Sequence, residues 1–209
     1  MPIQKGTRVA PETLRADSRT PAPWKNGGGM TREVAIHPPG AGTDGFGWRV
    51  SVADVTSGGP FSAFPGVDRI ITLVDGPGMV LTVDGVPRRM DTPYTPFAFP
   101  GDAATECRLL GGPVVDFNVM VRRSELTARV RVARDGTSVR AAAGTRVLAV
   151  VLGGSARLRH ASVRLKPLDA ALFTAGDADR LDVDGVLAIV DLVDRPGHGI
   201  GAQRRLGRM

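Results

Sequence analysis

Trp48-Arg49-Val50-Ser51-Val52-Ala53-Asp54-Val55 and Val114-Val115-Asp116-Phe117-Asn118-Val119-Met120-Val121 both alternate with a period of two. That is the spacing of a strand whose successive side chains point to opposite faces. In the first run Trp48, Val50 and Val52 share a face that reads as core, and Arg49, Ser51 and Ala53 share the other; in the second, Asp116, Asn118 and Met120 lie together. Outward from these, the same rhythm recurs in Met79–Val83, Ala128–Val132, Val147–Leu152, Ala156–Leu165 and Val186–Val193. The connections carry GPG, DG, PG, GG and RDG, which are turn chemistry. No long amphipathic pattern is present, and Pro11–Asp17 and Ser124–Ala128 each have room for a helical turn or two. The sequence predicts an all-β chain, folded as a barrel or a sandwich.

With 209 residues, 42% of them hydrophobic and 23% charged, the chain suits one large domain or two small ones with a substantial core. No stretch approaches the roughly 18 unbroken apolar residues of a membrane-spanning helix. The beginning of the chain has no apolar core behind a basic segment, and Cys107 is the single cysteine. A reducing, cytoplasmic location without membrane association is therefore expected. The net charge of +6 raises the question of nucleic acid. Against it, only Lys5, Lys25 and Lys166 are lysines, the arginines are scattered, and aromatics make up 5% of the chain. That leaves no basic surface interleaved with stacking residues. Arg204, Arg205 and Arg208 fall in a Gly-rich segment, 196–209, that reads as a frayed basic tail.

The chain carries an internal echo. Gly101-Asp102 corresponds to Gly176-Asp177 and Val115-Asp116 to Val190-Asp191, both at an offset of 75, and residues 73–85 align with 151–163 at 78. Two β-units are expected, 1–125 and 126–195, divided where charge replaces the apolar run near Arg122–Asp135.

Distinctive chemistry is concentrated in the first half. Pro23-Trp24-Lys25-Asn26-Gly27-Gly28-Gly29-Met30-Thr31-Arg32-Glu33 combines three glycines, which permit close backbone approach, with a flat apolar ring, two cations and several hydrogen-bonding groups. It reads either as an anion-wrapping loop or as a tight bend whose Trp24 plugs the core. The lysine precedes the glycines, so it is not a phosphate-binding P-loop. If the Arg49 face lines a barrel interior, Arg49 requires a carboxylate partner or an anionic ligand, and Ser51 and Asn118 would converge with it. The alternative is an edge strand with all three in solvent. Asp68-Arg69 reads as an ion pair or a ligand contact, and Phe61 and Phe64 as a closure of the barrel mouth.

His37, His160 and His198 are isolated from one another, so an imidazole-rich metal site is not expected and no cofactor is called for. Cys107 reads as a buried hydrophobe, Ser62 lacks the surroundings of a nucleophile elbow, and Asp102 and Asp177 read as turn caps. No catalytic residue is assigned. Asp54, Asp68, Asp102, Glu106 and Asp116 are enough carboxylates for an acid/base pair, without a spacing that unites two of them.

The strings PWKNGGGMTREVA (23–35), WRVSVADV (48–55), GPFSAFPGVDRIITLVDGPGMVLTVDG (59–85), PFAFPGD (96–102) and GGPVVDFNVMVRR (111–123) together resemble the HutD/Ves family, densely over about residues 10–123 and weakly to about 195. The resemblance implies two cupin-like (RmlC-like jelly-roll) β-barrels in one bacterial, cytoplasmic chain associated with histidine utilisation. It also implies a role in binding formylglutamate or a related intermediate so as to limit pathway flux. Residue chemistry adds a ligand set: Lys25, Arg32 and Arg49 to neutralise carboxylates, Asn26, Ser51 and Asn118 to hydrogen-bond, and Trp24 to cover an aliphatic stem. The expected partner is a small anionic metabolite, with oligomeric state left open, a homodimer included. A metal-independent enzyme using an Asp or Glu as general base, and a module that regulates by protein contact, are the competing readings.

Overall fold

The computed structural model describes residues 10–24 and 27–196. Seventeen strands account for most of them: β1 (Glu12–Leu14), β2 (Pro21–Pro23), β3 (Gly29–His37), β4 (Trp48–Val55), β5 (Gly59–Pro60), β6 (Val67–Asp75), β7 (Met79–Val83), β8 (Val86–Met90), β9 (Pro96–Pro100), β10 (Thr105–Leu109), β11 (Val114–Arg122), β12 (Leu126–Ala133), β13 (Thr137–Arg140), β14 (Thr145–Leu158), β15 (Val163–Leu165), β16 (Ala170–Phe173) and β17 (Ala178–Asp194). A single 3-10 turn, Ala16–Ser18, is the only helical piece among the described residues. The architecture is all-β. Pro11–Asp17, read as room for a helical turn, splits into strand β1 and that 3-10 turn, and Ser124–Ala128 is a turn running into β12.

A six-stranded sheet in the order β2-β3-β4-β11-β6-β9 faces a four-stranded sheet, β5-β10-β7-β8, and between them pack Ala53, Ile71, Leu73, Met79, Leu81, Met90, Phe99, Cys107 and Val114. The opposite face of the six-stranded sheet carries Trp48, Val50, Val52, Phe117, Val119 and Val121, and these meet Leu148, Val150, Leu152, Ala188, Val190 and Leu192 of the second unit. Thus the face read as core is the junction between the units, and the face that carries Arg49 and Ser51 is the interior of the first. A sheet covered on both sides explains why β4 and β11 are so continuously apolar.

The second unit is one seven-stranded sheet, β1-β16-β14-β17-β12 with β13 on β17 and β15 on β14, and it encloses its own apolar core of Val139, Val147, Ala149, Leu158, Leu165, Phe173, Leu181, Leu187 and Ile189. The N-terminal segment departs from the sequence division at 125: β1 pairs Glu12, Thr13 and Leu14 with Leu172, Ala171 and Ala170, so residues 12–14 belong to the second unit's sheet. Leu14 packs against the junction core, which is what draws the segment there. In both units the Gly-Asp turn tethers the preceding connection, Phe64 N–H donating to Gly101 O and Ala141 N–H to Asp177 O. Of the segment 196–209 read as a basic tail, 197–209 lie outside the described residues.

The long hairpin of β14 and β17 bends over itself where its register shifts between Val151 and Gly153. At the bend Gly154 and Gly185 have φ of +73° and +126°, and a Cβ on either would lie 2.1 or 2.3 Å from a facing carbonyl oxygen. Only glycine meets both conditions. Gly154→Ala and Gly185→Ala are each expected to cost ~3 kcal/mol, a fall in melting temperature of roughly 10 °C for a domain of this size. A variant melting within about 2 °C of the parent would show that the backbone relaxes at no appreciable cost.

Candidate functional site

The interior face of the six-stranded sheet carries charged side chains, Arg69 and Asp116, into the buried part of the first unit. Antiparallel register places Arg49, Met120 and Arg69 in one row across β4, β11 and β6; Ser51, Asn118 and Ile71 form the next, and Ala53, Asp116 and Leu73 the third. Directly opposed residues share a face, so these side chains all project to the same side. Glu33 of β3 stands opposite Ser51, and Phe99 of β9 opposite Arg69.

Arg49 is half-buried and its Nε donates to Glu33 Oε2 at 3.0 Å. Arg69 is 6% exposed, and its guanidinium carbon lies 4.9, 5.7 and 5.2 Å from the ring centres of Phe61, Phe64 and Phe99. Those ring faces attract the cation without using its N–H donors, and Arg69 Nε has no hydrogen-bond partner. Burial lowers the Arg69 pKa to about 10, against the opposing pull of Asp116 and with the help of Arg49. Asp116 is 3% exposed, and its Oδ1 also lacks a partner, as does Asn118 Oδ1. Burial pushes the Asp116 carboxyl up to about 7, Arg69 opposing and Asp54 adding to the rise. Unpartnered buried polar atoms are rare in native proteins and call for a water or a ligand.

The sequence-predicted residues divide. Arg49, Ser51 and Asn118 are brought together on this face. Trp24 lies on the same side but further along: its Nε1 donates to Thr31 Oγ1 at 2.7 Å, and it packs at the edge of the first unit's core. Thr31 stands opposite Ala53, four residues from Arg49, or about 13 Å along the strand. Arg32 is on the other face, opposite Val52, where it pairs with Asp54. Alternation forbids it from joining Arg49, and it is removed from the ligand set. Lys25 and Asn26 lie outside the described residues. The residues not assigned to the ligand set are Arg69, Asp116 and Glu33. The parity of Asp116 with Asn118 was readable, but the partnering of β6 with β11, which sets Arg69 two strands from Arg49, is long-range information.

Other expectations resolve locally. Asp68 and Arg69, neighbours on a strand, point to opposite faces: Arg123 takes Asp68 at 2.9 Å and Asp102 at 2.8 Å, so Asp102 is an ion-pair member rather than a turn cap. Asp177 does cap its turn, accepting from Thr174 N–H at 2.7 Å. The Cys107 thiol is buried 3.7 Å from Met79 Sδ and is pushed up to about 11 by burial and by Asp116, which leaves it inert. His37 stacks on Trp48 at the junction side, and His160 Nδ1 contacts Asp179 in the second unit. Among the described residues no three His, Cys, Asp or Glu come together as metal ligands, so the metal that many cupin folds carry does not fit this donor set. No helix among them is long and apolar enough to cross a membrane.

Fold and site define a cupin-type β-protein whose first unit has a polar, doubly cationic interior and whose second is filled with apolar side chains. A distant structure, a cupin 2 barrel protein from Leptotrichia buccalis, shares the fold at 8% identity, with a TM-score of 0.55 over 90% of this chain and 99% of that one. The HutD family model matches residues 16–190, and the chain belongs to the HutD family. An uncharacterised 21.2 kDa protein from the hutC 3' region of Pseudomonas putida is 38% identical over 188 residues, 88% of this chain and 98% of that protein. Protein Ves of Cronobacter sakazakii is 39% identical over 65% of this chain and 72% of its own. HutD from Pseudomonas fluorescens SBW25, solved in a formate condition, superimposes with a TM-score of 0.78 at 36% identity, covering 89% of this chain and all of that one. The protein is accordingly associated with histidine utilisation.

The raised Asp116 pKa sets a sign. The folded protein holds a proton that the unfolded chain has lost above about pH 4, so stability contributed by neutral Asp116 is full below that and is lost as pH rises through about 7. Ligand-free protein is expected to lose up to about 4 kcal/mol across this window. Asp116→Asn should remove the decline and be the more stable protein at pH 8. Parallel denaturant melts at pH 5 and 8 with unchanged differences between the two proteins would show that Asp116 titrates normally.

Proposed function

We propose that the first unit is a receptor for a small carboxylate, formylglutamate or a related intermediate of histidine breakdown, and that its occupancy modulates use of the pathway. The observation that carries the reading is the pair of guanidiniums, Arg49 and Arg69, on one interior face, the second with an Nε that no protein group satisfies. A guanidinium offers two parallel N–H donors that match the two oxygens of a carboxylate. In this scheme Arg69 takes one carboxylate in the buried part of the face. Arg49, nearer solvent, takes a second in competition with Glu33. Ser51 and Asn118, in the next row of the same face, hydrogen-bond to the ligand, while Trp24 stands too far along the strand to take part. Membership in the HutD family and a relative beside hutC support the choice of pathway. The second unit's buried carboxylates, Asp169, Asp177 and Asp179, differ in that each is held by hydrogen bonds from within the protein.

Asp116 supports a second reading. A carboxyl whose pKa lies near 7 is matched to proton transfer at neutral pH, so the same face suits a metal-independent enzyme acting on the same class of metabolite. Turnover with an inflection near pH 7 that Asp116→Asn abolishes would establish it.

For the receptor, calorimetric titration with formylglutamate, glutamate and urocanate is expected to give saturable heat with the first. Arg69→Met should weaken that binding ~30-fold or more by removing a charge-assisted contact at the buried end, and Arg49→Ala only about fivefold, because Glu33 already holds that cation. Arg32→Ala should leave it within about threefold, because that side chain is on the junction face. Absence of heat from all three metabolites would dispose of the assignment.

A further inference from the structure

The same interior face holds two acceptors as well as two cations. Asp116 and Asn118 are alternate residues of β11 and so neighbours on one side of it, their Cα atoms about 7 Å apart. Asp116 Oδ1 and Asn118 Oδ1 are both buried without a donor. Nothing apolar on a ligand could satisfy them, and a second carboxylate set against Asp116 would add like charge to a site with little water to screen it. What complements a buried acceptor beside a guanidinium is a donor group carried on an acid, an N–H, whose one hydrogen goes to Asp116 Oδ1 or is shared with Asn118 Oδ1.

We infer that Asp116, with Asn118, is the specificity determinant of this site, and that it selects carboxylates bearing an amide N–H over plain dicarboxylates of the same length. The inference rests on the carboxylate reading above and deepens it: the arginines make the site anionophilic, and the acceptor pair decides which anion. A site built to receive an N–H rejects the analogue lacking it strongly, since the acceptors are then left buried and unpaired. The charged groups that act on Asp116 are Arg69 on β6 and Asp54 on β4, with Arg49 acting on Arg69, while the Cys107 thiol on β10 faces it uncharged.

The probes are N-formyl-L-glutamate, its N-methyl derivative and glutarate, titrated into the full-length protein at pH 7 in two buffers of different ionisation heat. The N-methyl compound keeps both carboxylates and the formyl oxygen but has no N–H, and glutarate lacks the whole substituent, so steric exclusion cannot account for weak binding by both. Expected are affinities ~30-fold or more lower for both analogues and a proton count shifted toward release for N-formyl-L-glutamate relative to its N-methyl derivative, because the two bring the same carboxylates and only the N–H contact favours the ionised form of Asp116. Asp116→Leu should compress the preference to under about threefold while Arg49 still holds the carboxylate, and Asp116→Asn, which keeps one acceptor, should fall between. The wild-type comparison and the proton count stand even if the leucine variant fails to fold. Glutarate or the N-methyl compound binding within threefold of N-formyl-L-glutamate, or the same proton count with N-formyl-L-glutamate as with its N-methyl derivative, overturns the inference and leaves the carboxylate receptor standing. No binding by any of the three overturns both.

Discussion

A guanidinium buried to 6% exposure, Arg69, with three phenylalanine rings around it and no hydrogen bond from its Nε, is the constraint around which the first unit is organised. Burying a cation is costly unless something repays its lost hydration. The rings of Phe61, Phe64 and Phe99 repay part of it through their negative faces, and Asp116 on the adjacent strand repays part through charge. Neither satisfies the Nε–H. The aromatic contacts also fix the loop between β5 and β6, because Phe61 and Phe64 come from that connection and reach back over a residue on the strand that follows. The mouth of the unit and its deepest charge are therefore one structure.

The two units differ in what their sheets enclose. In the second, the enclosed face is filled with Val, Leu, Ala, Ile and Phe, and its polar residues are satisfied at the surface or in turns: Asp169 takes Arg15 and two backbone N–H groups, and Asp179 takes three backbone N–H groups and His160. In the first, the enclosed face keeps charge. Asp191, the sequence counterpart of Asp116, illustrates the contrast: it is half-exposed and pairs with Arg131 at 3.2 Å, whereas Asp116 is buried beside an unsatisfied arginine. Packing the apolar outer face of the first unit against the second turns a two-faced sheet into a rigid floor, which holds a row of functional side chains more closely than a loop would.

Strand parity was readable from the chain alone, and it correctly put Arg49 with Ser51 and Asp116 with Asn118. What parity lacks is register. Arg32 and Arg49 sit on adjacent strands, and that they occupy opposite faces follows from Arg32 pairing opposite Val52, a register that composition does not announce. Asp68-Arg69 carries the opposite lesson, because adjacent residues of a strand point apart and so cannot pair. The dipeptide alone could have excluded the ion pair and left Arg69 facing inward with Ile71 and Leu73. The N-terminal strand β1 was beyond reach for a different reason: three residues joining a sheet formed more than 150 positions later leave almost no local trace.

The electrostatics of the site decide what kind of binder it can be. Arg49 is not a free cation waiting for an anion, since Glu33 already holds it at 3.0 Å, and Glu33 is 41% exposed. A ligand carboxylate arriving there exchanges one carboxylate for another, with Glu33 released to water, and the net gain from that contact is modest. Arg69 is different, because its Nε has nothing to give up. In the proposed receptor, strong recognition therefore comes from the buried end, where Arg69, Asp116 and Asn118 stand, and the Arg49–Glu33 pair lies between that end and solvent. A site arranged so, with its outer cation pre-paired and its inner groups unpaired, is tuned for a ligand whose inner end is polar on both counts, accepting from Arg69 and donating to Asp116. It is poorly suited to simple anions, which would meet one cation already engaged and a carboxyl that repels them once ionised.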